Sequence, residues 1–206
     1  MPSGLKKKFD LILSREQRLA RAIALKAIRP KPLSVWEVMV PVIFIMGYMR
    51  AKADREVFSQ NMLFTKKLAL EAALDMIRKE TSQADALVKI EHKTKDLLSS
   101  VPDGIYSEEI RREQLKEIEL LIAHFCRLIQ AQGRDYAALV VNAYQSLDGY
   151  RRFNDQLAAA ESAVTQAARR TLGHKTDEEM AAKIELAAER LRRQEAETIF
   201  NSTPRR

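Results

Sequence analysis

The sequence predicts an all-α protein, a multi-helix bundle with coiled-coil-like helices and an N-terminal basic amphipathic arm. Gly and Pro occur only six times each in 206 residues, so positions that break a helix are few. Ala, Leu, Glu, Lys, Arg and Gln dominate, and these side chains lose little freedom in a helix. Apolar residues recur at three- and four-residue spacing, and strand-type alternation is nearly absent.

Residues 1–31 form the arm. Of the 35 Lys and Arg and the 28 Asp and Glu in the chain, nine and two fall here, so the whole net charge of +7 lies in this segment. At 100° per residue Leu5, Phe9, Ile12, Leu13, Leu19, Ala20, Ile23 and Ala27 share one stripe, with the cations off it. Glu16 intrudes on the stripe. Ser14 and Gln17 have capping-box spacing, which predicts a break near Ser14. Pro30 and Pro32 end the helix.

Residues 32–57 hold an apolar segment and a charged connector. S34-V-W-E37 is a second capping box, and it opens the run VMVPVIFIMGYM at 38–49. Pro41 predicts a kink. Twelve helical residues cover about 18 Å, short of the ~30 Å hydrocarbon thickness, so a straight crossing is marginal. An interfacial or re-entrant segment fits better, with Trp36 and Tyr48 bracketing it as headgroup-level aromatics do. A core helix or a subunit interface is the competing reading, and a signal peptide a third.

From 58 to 200 the pattern predicts the bundle. Residues 58–77 are apolar on two sides, as in a helix central to a bundle. Helices follow over 83–100, 107–131 and 135–147, with V101-P-D-G104 as a candidate boundary and Gly149 a turn or weak point. Tyr150, Phe153, Leu157, Ala160, Val164, Ala167 and Thr171 keep heptad spacing and predict a seam for a protein partner or a second copy. Gly173 caps that helix, T176-D-E-E179 opens the last, and 201–206 read as a tail.

Chemical motifs are missing. The single Cys126 excludes an intrachain disulfide framework, and no Glu-x-x-His pair, phosphate loop or nucleophile elbow is present. Glu113, Glu117 and His124 share a helix face that reads as solvated charge, away from the Ile118/Phe125 stripe. No catalytic, cofactor or metal residue is assigned. The expected function is therefore a non-enzymatic, membrane-associated helical scaffold or assembly protein at the cytoplasmic face of a membrane. Lys6, Lys7, Lys8, Arg15, Arg18 and Arg21 are the candidates for anionic headgroups, each worth ~1 kcal/mol near an anionic leaflet. Trp36, Ile43, Phe44, Ile45 and Tyr48 would enter the apolar layer, and Phe153, Leu157 and Val164 would meet the partner. The alternative is a soluble cytoplasmic oligomer that binds nucleic acid through the arm, with the apolar helix between subunits.

Overall fold

A computed structural model describes residues 3–27, 54–79, 81–99, 107–172 and 178–202. Among them are seven α-helices and no strand: α1 (Ser3–Ala27), α2 (Asp54–Lys79), α3 (Gln83–Ser99), α4 (Glu108–Gln130), α5 (Tyr136–Tyr144), α6 (Leu147–Leu172) and α7 (Glu178–Ser202). The all-α bundle read from composition and spacing is the observed fold. The 33–49 stretch with its capping box, the V101–G104 boundary, Gly173 and the Thr176 box lie outside the described residues.

Five long helices close into a ring in the order α1, α2, α4, α6, α7 and back to α1. Partners along each pair give the directions. Phe58 shares an apolar cluster with Ile23 and Ala27, and Lys66 bonds Glu16, so α1 and α2 are antiparallel. Cys126 approaches the Ala73 carbonyl while Lys66 acts on Glu117, so α2 and α4 run parallel. Ser107 meets Thr171 and His124 stacks on Phe153, which sets α4 against α6. Glu161 bonds Arg192 and Tyr150 lies near Phe200, which sets α6 against α7. Arg15 reaches Glu195, and α1 closes the ring antiparallel to α7. α3 leans on the outside of α2 and α4, and α5 plugs one end, touching α1, α4, α6 and α7.

This arrangement corrects three expectations. The arm is no appendage, because its stripe is covered by the ring itself: Ile12 and Ile23 are fully buried, and Leu5, Phe9 and Leu13 pack against the main core. The helix also runs unbroken through Ser14, whose hydroxyl accepts from the Arg18 guanidinium at 2.9 Å rather than capping a new start. The heptad seam of α6 faces inward, with Phe153, Leu157 and Val164 all buried within the chain against α4 and its neighbours. The spacing was real, but the ring supplies the surface that covers it. Gly149 does not interrupt α6, and Asn201 and Ser202 extend α7.

Local chemistry sets the corners at both ends of the ring. Ser107 Oγ accepts from the Ile110 amide at 3.3 Å, and Asp135 Oδ1 accepts from the Ala138 amide at 2.8 Å, each filling a helix N-cap. Gly133 is required by close approach, since a Cβ there would lie 2.8 Å from the Leu139 backbone nitrogen. α5 ends on Gln145 in the left-handed region (φ 64), where its amide bonds the Val141 carbonyl. A side chain is strained there and glycine is not. Gln145→Gly is therefore expected to raise stability by about 0.5–1 kcal/mol, read as a higher urea midpoint.

Candidate functional site

The apolar interior is divided. One large cluster fills the α5 end, with Phe125, Leu121, Leu139, Tyr150 and Phe153 among its members. Toward the other end lie two smaller ones, Leu19, Ile23, Ala27, Phe58 and Ile184 in one, Ile110, Val164 and Ala167 in the other. Between them every helix of the ring contributes charge: Arg15 and Glu16 from α1, Lys66 from α2, Glu117 from α4, Glu161 from α6, and Arg192 and Glu195 from α7. All but Glu161 and Glu195 are at most 6 % exposed. Burying this many charges costs several kcal/mol per ion unless each is paired and hydrogen-bonded.

The pairing is extensive. Glu16 is the hub, accepting from Arg15 Nη1 at 2.5 Å and from Lys66 Nζ at 2.6 Å. Arg15 also donates from Nε to Glu195 at 2.8 Å, while its Nη2 reaches the second Glu195 oxygen. Arg192 grips Glu161 with two parallel bonds of 2.7 and 2.5 Å, the bidentate geometry that suits guanidinium and carboxylate. Burial works against ionisation of Glu16, but Arg15 and Lys66 overcome it and hold its carboxyl well below the usual range. Burial likewise opposes Glu161, and Arg192 overcomes it.

Aromatic residues floor the layer on the α5 side. The Arg15 guanidinium sits 5.0 Å from the centre of the Tyr136 ring, a cation–π distance. Tyr136 and Tyr150 hydroxyls are 3.3 Å apart. His124 Nδ1 lies 2.6 Å from the Tyr144 hydroxyl, and its ring stacks on Phe153 at 4.0 Å between centroids. Burial pushes His124 down to about 3 against the opposite pull of Glu16, with Arg15, Lys66 and Arg127 adding to the effect, so the imidazole is neutral.

Several residues singled out in the sequence therefore stand elsewhere than expected. Arg15 is buried in the layer and cannot meet headgroups, and Lys8 is half-buried, its ammonium donating to the Ile129 carbonyl at 2.8 Å. Lys6, Lys7, Arg18 and Arg21 remain exposed on the outer side of α1. Trp36, Ile43, Phe44, Ile45 and Tyr48 lie outside the described residues. Glu117 and His124 are interior, not solvated, because α4 is wrapped by α2 on one side and α6 on the other. Glu113 alone of that trio faces water's side of the helix, paired with Lys116 at 2.9 Å. Cys126 is half-buried, and burial pushes its thiol up.

Sequence reasoning missed Lys66, Glu161, Arg192 and Glu195, although a signal existed. On four ring helices a charge sits inside the three-four apolar repeat, at 12-16-19-23, 62-66-69-73, 157-161-164-168 and 188-192-196-199, and on α4 Glu117 lies one turn before Leu121 in the same register as the polar Gln114 and His124. A charge in a core position on five helices at once is the mark of a shared buried layer.

Among the described residues, shallow depressions indent the surface. One of about 350 Å³ between α1 and α2 is lined by Lys6, Phe9, Asp10, Glu71, Leu74 and Asp75. Another, about 450 Å³, lies between α3 and α4 around Val88, Glu91 and Arg111. Neither is lined by a residue of the ionic layer. Among the described residues no group of His, Cys, Asp and Glu is placed to hold a metal ion, and no helix is long and apolar enough to cross a membrane. What the layer can do chemically is hold charges and protons in place.

No protein-family model, curated protein or solved structure matches this chain.

Proposed function

We propose that the protein is a non-catalytic helical scaffold that rests on an anionic membrane face. Headgroups would meet Arg18, Arg21 and Lys26, the exposed cations in the C-terminal half of α1, and the apolar stretch at 33–49 would supply the hydrophobic hold. One observation carries the reading. α1 and α2 are antiparallel, so the chain leaves at Ala27 and returns at Asp54 at the same end of the ring, opposite the α5 plug. The two described helix ends that flank the twelve-residue apolar run therefore share one pole of the folded body. That pole also carries Leu25 on α1, 62 % exposed between the exposed Arg21 and Lys26 of the same helix, and Leu186 on α7, 45 % exposed. An exposed leucine among cations suits the boundary between headgroups and acyl chains. The apolar stripe of α1 takes no part, being spent within the ring.

Sedimentation of the full chain with vesicles of zwitterionic lipid, with and without an anionic lipid, tests this. Binding is expected only to the anionic vesicles. Arg18→Glu with Arg21→Glu should weaken it by about tenfold or more, at ~1 kcal/mol per basic residue near the surface. Ile43→Glu with Phe44→Glu should abolish it while leaving helix content unchanged. Retention on vesicles by both double variants, or salt-sensitive binding to duplex DNA or RNA in place of lipid, would overturn the reading. The second result would favour the nucleic-acid alternative.

A further inference from the structure

The ionic layer has an odd member. Arg15, Lys66 and Arg192 supply three positive charges, and Glu16, Glu161 and Glu195 answer them with three negative ones. Glu117 is a seventh ionisable group in the same layer, 5 % exposed. As the neutral acid it leaves the layer balanced. As a carboxylate it adds an unmatched charge inside a water-excluding ring, beside Glu161. An isolated charge in such a setting is costly, and a group there avoids it by keeping its proton.

We propose that this layer is a proton-sensitive clasp: Glu117 holds a proton in the folded ring, and releasing it loosens the contact between α4 and α6, where the carboxylate would face Glu161. The surroundings define the group from every side. Lys66 of α2, Glu161 of α6 and Arg192 of α7 act on Glu117, with Arg15 and Glu16 of α1 across the layer and His124 two turns along α4. The α3 charge that pairs with α4, Glu91 on Arg111, belongs to a separate surface pair, and α5 contributes the Tyr136 ring beneath Arg15. Burial first, then repulsion from Glu161, raises Glu117 to about 8, against the pull of Lys66 and Arg192.

The sign follows from linkage. A carboxyl whose folded value exceeds its ordinary 4.5 binds a proton on folding, so stability falls as pH rises from 4.5 through about 8 and is level beyond. His124 has the opposite sign, because its folded value lies below its ordinary 6.5, and it destabilises as pH falls below 6.5. Between 4.5 and 6.5 the two slopes cancel. From 6.5 to 8 Glu117 acts without that counterweight, since Cys126 and the buried tyrosines titrate from 9.0 and 10.0 upward. The clasp is independent of the membrane reading and stands if that reading falls.

Unfolding of the full chain in urea across pH 5 to 9, for wild type and Glu117→Gln, is the test. The wild-type equilibrium constant for folding should be level to pH 6.5 and then fall by on the order of tenfold by pH 8. Glu117→Gln should instead rise toward pH 6.5 and stay level, so that its advantage grows with pH. Parallel profiles for the two proteins would overturn the proposal. If the variant does not fold, carboxyl ¹³C titration of the wild type decides: a Glu117 signal moving near pH 8 supports the clasp, and a carboxylate already formed at pH 6 overturns it.

Discussion

Glu16→Leu is expected to lower the unfolding free energy by about 3–5 kcal/mol, the cost of leaving a buried charge without its partner. Glu16 accepts from both Arg15 and Lys66, at 2.5 and 2.6 Å. Arg15 keeps Glu195, but Lys66 is 3 % exposed and loses the carboxylate it bonds. The second substitution makes the cause visible. Lys66→Met in the Glu16→Leu background removes the stranded ammonium, so the double variant should be more stable than Glu16→Leu alone, by about 1–3 kcal/mol. Chemical denaturation followed by circular dichroism measures all three proteins. A Glu16→Leu loss of under about 1 kcal/mol would match an exposed pair and contradict the buried layer.

Phe153→Ala should be comparably severe, about 3–5 kcal/mol for an aromatic ring removed from a packed core. The ring is 7 % exposed and stacks on His124 at 4.0 Å, with Tyr144 and Tyr150 at 5.7 and 6.2 Å. Its loss strips cover from the imidazole as well as leaving a void, so the damage extends to the polar floor of the ionic layer. Denaturant unfolding together with analytical ultracentrifugation separates this from the alternative. A variant that keeps its stability and changes only its association state would return Phe153 to an interface between chains.

The layer also explains why a ring of five helices tolerates so many buried ions. Such a layer adds little net stability over an apolar one of the same volume. It does set register, since Arg15, Lys66 and Arg192 reach their acids only when four helices stand at the right height. The apolar stripes alone, rich in alanine and leucine, would allow neighbouring helices to slide by a turn at modest cost.

Much of the fold was legible in the residues, and the physical reason is local. Helix spans follow from propensity, from Gly and Pro placement and from three-four spacing, all properties of a short window; hence α3 and α4 lie within a residue of their expected limits, and α5 starts within a residue of its own but stops three short, at Tyr144. The stripe of α1 and the repeat of α6 were likewise read correctly as apolar faces. What covers a face is not a local property. An amphipathic helix presents the same pattern to lipid, to a partner or to its own chain, and only the closed ring decides that α1 and α6 bury their stripes within the molecule. Charge is the sharper case. Lys66 and Arg192 look like solvated surface until five helices bring Glu16 and Glu161 opposite them, because a charge is accepted in the interior only through a counter-charge distant in sequence. The sequence by itself determined which residues are helical and which faces are apolar. The tertiary structure decided which of those faces were occupied and turned scattered ions into one buried layer.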